Sequence, residues 1–298
     1  QALAAHALKR RDLPLAGKRF EAYARHCEQW GREDLAAGAY HQLGRVAEER
    51  RDFAAAEGWY RKSLAIFERQ GNEHGVASTY HQLGIIAQER RDFAAAEDWY
   101  RKSLAIFERQ GNEHGAAITY HQLGIVAQER RDFAAAEDWY RKSLEIKERQ
   151  GDEHGAAITY HQLGRVAEER HDFATAEDWY RRSLAIFKRQ GNEYGAASTY
   201  IQLCIVAEER RDFAAAEGWY SKLLAISERQ GKEHGAAIIY HQLGRVAEER
   251  RDFAAAEGWY RKSLAILERV DDEHSAAIAR GSLERLDALR QTGDGGTS

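Results

Sequence analysis

Residues 41–80 read HQLGRVAEERRDFAAAEGWYRKSLAIFERQGNEHGVASTY, and residues 81–120 read HQLGIIAQERRDFAAAEDWYRKSLAIFERQGNEHGAAITY. Six of the forty positions differ. The same spacing carries Tyr40, Tyr80, Tyr120, Tyr160, Tyr200 and Tyr240, and it carries Trp59, Trp99, Trp139, Trp179, Trp219 and Trp259. A fixed period of this length marks a solenoid, in which each unit touches mainly its neighbours. The register extends backward: Arg11-Asp12-Leu13 lines up with Arg51-Asp52-Phe53, and Phe20 with Tyr60. Seven units result, the first degenerate, with one further helix after Asp272.

Each unit reads as two helices. In residues 71–110, Gly71 ends one helix in the left-handed conformation, and Asn72 and Glu73 suit the start of the next. Helix A is expected over 75–90, with an apolar stripe of Tyr80, Leu83, Gly84 and Ala87 at helical spacing. Asp92 is the expected N-cap of helix B, 93–110, whose stripe is Phe93, Ala96, Tyr100, Ser103, Leu104 and Phe107. Glycine inside helix A costs about 1 kcal/mol relative to alanine. Its recurrence at Gly44, Gly84, Gly124, Gly164 and Gly244 predicts close approach of helix B, with Ala96 and its copies opposite. Cys204 takes the glycine position in one unit and is expected to be a small buried side chain.

Among the 298 residues, 44 Lys+Arg stand against 48 Asp+Glu, a formal net charge of −4. That balance argues against a dedicated nucleic-acid binder. No uncharged stretch approaches the length of a membrane span. Two cysteines, Cys27 and Cys204, cannot make a disulfide framework, which favours a reducing, cytoplasmic compartment. The sequence lacks methionine and a signal-peptide pattern, so a piece of a longer chain is expected.

Tyr80-x-x-Leu83-Gly84-x-x-Ala87, followed by Ala96, Tyr100 and Ser103-Leu104, resembles the tetratricopeptide repeat. The tail from Leu104 through Gly111-Asn112-Glu113-His114-Gly115 resembles the longer variant of kinesin light chains. The resemblance covers about residues 1–290. Two departures stand out: Ala87 replaces an aromatic late in helix A, and the proline after helix B is missing. The resemblance implies an all-α, right-handed α-solenoid of about seven helix-turn-helix repeats plus a C-terminal capping helix. We bound a single array at 1–291, with units 1–40, 41–80, 81–120, 121–160, 161–200, 201–240 and 241–274. The capping helix spans 275–290, and 292–298 is expected to be a disordered tail. The closing helix keeps Leu283 but places Arg280, Glu284 and Asp287 where tyrosine, glycine and alanine stood, as a solvated last face requires.

No P-loop, GxGxxG, HExxH or CxxC is present. Nearly every polar residue recurs five to seven times, whereas catalytic residues are singular, so no catalytic residue, cofactor or enzymatic role is assigned. Two histidine ladders, His41 with its copies and His74 with its copies, invite a metal reading. Equivalent residues of packed helices lie at least about 8–10 Å apart, too far for one ion. No metal site is assigned, and His74 and its copies are expected to hydrogen-bond across the inter-repeat turn. The runs such as Glu48-Glu49-Arg50-Arg51-Asp52 read as solvated helix ends with local pairs, and Trp59-Tyr60 and its copies as packing.

The copies differ mainly at 38, 41, 45 and 48 and their translates, spacings that share one helix face. The tiers are Gly38, His41, Arg45, Glu48; Ser78, His81, Ile85, Gln88; and Ile118, His121, Ile125, Gln128. They continue with Ile158, His161, Arg165, Glu168; Ser198, Ile201, Ile205, Glu208; and Ile238, His241, Arg245, Glu248. Arginine accompanies glutamate and isoleucine accompanies glutamine in five of the six tiers; Arg45 and Glu48 are spaced to pair along the helix. By the resemblance this face lines a concave groove that binds peptides or protein partners. Apolar patches on an exposed face mark interaction sites. The expected function is a monomeric protein-interaction scaffold or sensor, binding neither nucleic acid nor membrane. Arrays of this kind are similar to sensor arrays of bacterial multidomain signal-transduction ATPases and to arrays joined to caspase-like proteases. The alternative is a self-associating array that stacks end to end.

Overall fold

The computed structural model describes residues 2–294, and among them every regular element is a helix. The first unit of the structure, residues 1–152, holds α1 (Ala2–Lys9), α2 (Leu13–Gln29), α3 (Glu33–Glu49), α4 (Phe53–Arg69), α5 (Glu73–Glu89), α6 (Phe93–Arg109), α7 (Glu113–Glu129) and α8 (Phe133–Arg149). The second, residues 153–298, holds α9 (Glu153–Glu169), α10 (Phe173–Arg189), α11 (Glu193–Glu209), α12 (Phe213–Arg229), α13 (Glu233–Glu249), α14 (Phe253–Arg269) and α15 (Glu273–Asp294). Helices α1 to α14 form seven helix pairs, and α15 closes the series. Odd-numbered helices are the A helices and even-numbered ones the B helices. The tyrosine period places unit boundaries at 40/41, 80/81 and onward; these fall inside A helices, and the pairs begin instead at 33, 73, 113, 153, 193 and 233. A period gives the length of a repeat but not its phase.

Local chemistry sets the helix ends. Asp52, Asp92, Asp132, Asp212 and Asp252 each accept a hydrogen bond from the backbone N–H three residues on, at 3.0–3.1 Å. Asn72, Asn112 and Asn192 do the same for Gly75, Gly115 and Gly195 at 2.9 Å. Helix α13 breaks the pattern: Lys232 stands at its N-cap and makes no side-chain cap bond. Lys232→Asn is therefore expected to stabilise the second unit by about 1 kcal/mol, read as a higher denaturant midpoint at unchanged slope. No shift in midpoint would show that water serves these N–H groups equally well.

The B helices from α2 to α12 end at glycines with positive φ, such as Gly71 at +64°, and α14 ends at Asp271 with φ of 59°. The A helices end the same way without glycine: Arg51, Arg91, Arg131, His171, Arg211 and Arg251 take φ of 56–61°. The six-to-one bond Asp52 N–H to Ala47 O, 2.9 Å, closes each such turn. Left-handed backbone costs a side-chain-bearing residue about 1–2 kcal/mol.

Packing within a pair centres on the B-helix tyrosine. Tyr60, Tyr100, Tyr140, Tyr180 and Tyr260 are fully buried. A Cβ added at Gly84 would meet Tyr100 Cε1 at 2.5 Å, and Gly44, Gly124, Gly164 and Gly244 stand in the same relation to their tyrosines. The close approach expected from these glycines is thus made by the tyrosine ring rather than by Ala96. A buried hydroxyl pins the two helices: Ser103 donates to the Ala77 carbonyl at 2.8 Å, as do Ser63, Ser143, Ser183 and Ser263 to their counterparts.

The α11–α12 pair departs from this plan. Cys204 replaces the glycine and is fully buried, and Leu223 replaces the pinning serine. Burial pushes the Cys204 thiol well above its ordinary pKa, the opposite of a reactive thiolate.

The closing helix runs through Asp294, past the expected end at 290, so residues 292–294 are helical rather than part of a tail; 295–298 lie outside the described residues. A single glycine at 293 costs too little to stop a helix. Leu286 is its deeply buried anchor, with Leu283 only half-buried. Arg280 turns outward to Glu273 at 2.9 Å, and Glu284 and Asp287 are exposed.

Candidate partner-binding face of the A helices

The four variable positions of each A helix separate into two depths. His41, His81, His121, His161 and His241 are half-buried, each ring 5.1–5.3 Å from the buried tyrosine of its own B helix. Burial lowers their imidazoles, to about 4 for His41, His81 and His161 and about 3 for His121; His241 is lowered for the same reason. These side chains are neutral at pH 7 and form a floor.

The position-48 residues belong to that floor as well. The Tyr60 hydroxyl donates to Glu48 at 2.8 Å, and Tyr180 and Tyr260 donate to Glu168 and Glu248 at 2.7 Å. Gln88 and Gln128 accept from Tyr100 and Tyr140 at 3.0 and 3.1 Å. Their partner lies twelve residues along the chain on the other helix, beyond any pattern confined to helix A. Burial raises the Glu48 and Glu168 carboxyls.

Arg45 does not bond Glu48 along the helix. Its guanidinium donates to Gln42 at 3.3 Å, as Arg165 does to Gln162 at 3.3 Å and Arg245 to Gln242 at 2.8 Å. Glu48 is already taken by tyrosine, which leaves the arginine to turn toward solvent. In the second unit the glutamates gain arginines from the next helix instead: Arg245 lies 3.7 Å from Glu208, and Arg285 grips Glu248 at 2.9 and 3.0 Å.

What remains open to solvent is mostly isoleucine. In the first unit Ile118 is exposed, whereas Ile85 and Ile125 are half-buried, so the apolar patch is smaller than the sequence suggests. There Ser78, His81 and Ile118 come together with His74, Phe107 and His114 around a cleft of about 260 Å³. In the second unit Ile158, Ile201, Ile205 and Ile238 are all exposed, Ile201 at 46% and Ile238 at 45%. Ile278 and Tyr194, exposed at 50% and 85%, extend the set. Ile278 lies on the closing helix, one period past the last tier. Tyr194 stands where five other copies carry histidine and the first carries Asp34, and its being the one aromatic ring of the phenol type there was readable from the alignment of copies. With Ser198, Ile201 and Ile205 it falls on one helical stripe at spacings of 4, 3 and 4.

The second histidine ladder crosses the turn by hydrogen bond at His234, whose Nε2 lies 2.8 Å from Asp272. His74 and His154 instead set their rings 6.3 and 6.0 Å from Phe107 and Phe187. Among the described residues no cluster of His, Cys, Asp and Glu is arranged to hold a metal ion, and no helix is long and apolar enough to cross a membrane.

Away from this face the charge runs are long-range ties. Arg90 reaches Glu57 of the preceding B helix at 2.8 Å, and Glu57 also takes Arg61 at 2.8 Å. Trp99 stacks on Tyr80 at 5.5 Å, with the Lys102 ammonium 4.5 Å from its ring centre. This aromatic-and-cation column is structural.

The fold and the repeated floor define a helix-pair repeat protein of the scaffold class. The tetratricopeptide-repeat family model matches residues 35–109, 75–149, 115–189 and 195–269, more than half of the chain, and the chain belongs to that family. Among solved structures it is similar to a signal-transduction ATPase with numerous domains, with a tetratricopeptide repeat sensor, from Pyrococcus horikoshii. There the TM-score is 0.76 and the identity 15%, over 93% of this chain and 43% of that one. It is also similar to BtubC (BKLC) from P. vanneervenii, with TM-score 0.66, 23% identity, and coverage of 74% and 92%. A third is a Rap protein complexed with competence and sporulation factor, with TM-score 0.56, 13% identity, and coverage of 86% and 76%. At these identities the likeness shows the fold. Among curated proteins none matches the chain by sequence.

Proposed function

We propose that this chain is a non-catalytic recognition module that binds a peptide or protein partner on the exposed stripe of its A helices. The observation that carries this reading is the contrast between depths. Position 48 and its translates hold only glutamate or glutamine, and position 41 holds histidine in every tier but that of Ile201; positions 38 and 45 vary more in character, and the exposed isoleucines are Ile118, Ile158, Ile201, Ile205 and Ile238. Large aliphatic groups left in water along a face of helices are what a partner would bury. Arg45, Arg165 and Arg245 set charge beside them and would select among partners. The wider reading is the ligand-sensing part of a larger bacterial signalling protein in the cytoplasm, monomeric in isolation. It is supported by the likeness to the Pyrococcus horikoshii sensor and by the Rap protein caught with a signalling factor.

A peptide-display selection on the whole chain tests the proposal. Ile201→Glu with Ile238→Glu is expected to abolish binding of the enriched peptides, while each substitution changes stability by no more than about 0.5 kcal/mol. Peptides that bind parent and double variant alike would place recognition elsewhere.

A further inference from the structure

The A-helix tyrosines supply an internal comparison that singles out one copy. Tyr80 donates its hydroxyl to Glu68 at 3.0 Å, Tyr240 to Glu228 at 2.6 Å, and Tyr40 and Tyr120 to Glu28 and Glu108. In each case the acceptor is the glutamate twelve residues earlier, in the last turn of the preceding B helix. At Tyr200 that residue is Lys188. Tyr200 is 5% exposed as a residue, but it lines a cleft, and among the described residues its hydroxyl has no acceptor. Here the usual acceptor has been exchanged for a cation, and the hydroxyl is left open to the adjoining cleft.

The surroundings have changed sign accordingly. Tyr200 and Lys188 line a cleft of about 400 Å³ together with Lys222 and Arg229. Glu193 is the cleft's single carboxylate, and it is held by Arg229 at 3.0 Å and by the Gln230 amide at 2.7 Å. Among the described residues Lys188 has no carboxylate within 4 Å, and Lys222 rests its ammonium 4.1 Å from the Trp219 ring centre. Lys188, Lys222 and Arg229 against Glu193 leave a formal charge of +2. The equivalent set around Tyr80, with Lys102 and Arg109 against Glu68 and Glu73, sums to zero. Phe187, Ala196, Ala225 and Ile226 give it apolar walls, beside Gly191 and Asn192 of the turn. The Trp219 indole N–H, on a ring tilted against Tyr200 at 5.9 Å, is buried without a partner.

We propose that this cleft, at the α10–α11 turn and against α12, is a binding site for a small organic anion. One carboxylate or phosphate oxygen of the ligand accepts from the Tyr200 hydroxyl, in the place that Glu68 or Glu228 fills elsewhere. Lys188 and Lys222 neutralise its charge, and an apolar or aromatic body lies against Phe187 and Ile226. The volume suits a small molecule. The site uses none of the variable A-helix positions, so it stands whether or not that face binds a partner.

The test is calorimetric titration of the full chain with phenyl phosphate, benzoate and neutral benzamide. Phenyl phosphate or benzoate is expected to bind and benzamide not; which of the two anions is preferred identifies the head group. Lys188→Glu restores the arrangement of the other copies, so it is expected to fold at least as stably as the parent and to bind the anion at least tenfold more weakly. Glu68→Lys transplants the charge pattern to the Tyr80 copy, where Phe67, Ile106, Lys102 and Arg109 already stand, and is expected to gain a second site of similar affinity. The proposal is overturned if neither anion binds the parent, if Lys188→Glu binds within twofold of it, or if the transplanted copy, shown folded by circular dichroism, binds nothing.

Discussion

Gly84→Ala should lower the stability of the first unit by about 2–3 kcal/mol, although alanine is the better helix former by about 1 kcal/mol. The added Cβ would lie 2.5 Å from Tyr100 Cε1, 2.6 Å from Cδ1 and 2.9 Å from Cζ. The ring cannot swing away freely. Its hydroxyl is bonded to Gln88 at 3.0 Å, the imidazole of His81 sits 5.3 Å from it, and Ser103 ties the same two helices together at 2.8 Å. Relief must come from moving α6 off α5, which breaks several such contacts at once.

The chain contains its own control for this substitution. Cys204 occupies the glycine position of α11; there the serine pin is absent and Tyr220 is slightly less buried than Tyr60 or Tyr100. A side chain is thus accommodated where the pin has been given up, and Gly84→Ala keeps the pin. Urea denaturation measures the loss, and hydrogen exchange should place it in α5, α6 and their neighbours, since solenoid contacts are nearest-neighbour. An unchanged midpoint would mean that the A–B spacing is soft and that the recurring glycine has another cause.

The same residues show how far sequence could reach. Period, helix pairs, N-caps at Asp92 and Asn72, and the left-handed turn at Gly71 were all legible, because each depends on local chemistry or simple repetition. The identity of the group facing Gly84 was not, because helical spacing gives a face but not the rotation that meets the partner helix. That ambiguity governs the site too. His81 and Gln88 share a stripe with Ile85, and all three are half-buried, because the Tyr100 ring stands against His81 and its hydroxyl bonds Gln88 from the other helix. Arg90 to Glu57 was equally hidden: a charge run predicts local pairs, while the folded chain joins residues thirty-three apart. Arg51 and its copies in left-handed turns carry no sequence signal, since glycine is the residue that normally marks such a turn.

Acid should weaken the protein well above the pH at which carboxylates protonate. Burial holds His41, His81 and His161 near pKa 4 and His121 near 3, and it lowers His241, against an ordinary value of 6.5. Between pH 6.5 and the folded values, the unfolded chain binds protons that the folded chain refuses. Stability is therefore full above about pH 6.5 and falls as pH drops through that window, by up to about 1.4 kcal/mol per pH unit for each proton of difference. After a discount for partial solvent access, about 1 kcal/mol for each of His41, His81, His121 and His161 between pH 6.5 and 5 is a reasonable scale, with His241 adding in the same direction. Two glutamates oppose the trend: burial raises Glu48 and Glu168, so the folded chain takes their protons more readily as pH falls. Their window begins lower, near the ordinary carboxylate range, and they are two against five. The ion-paired carboxylates, such as Asp272 held near pKa 2 by the Ser275 backbone N–H and by His234, matter only below pH 4. Urea midpoints at pH 7.5, 6.5, 5.8 and 5.0 isolate the histidine window, and His121→Gln, which removes the most depressed imidazole, should flatten the slope. Equal midpoints from pH 7.5 to 5.0 would mean that the floor admits water and that these histidines protonate in place, which would make them available to a partner after all.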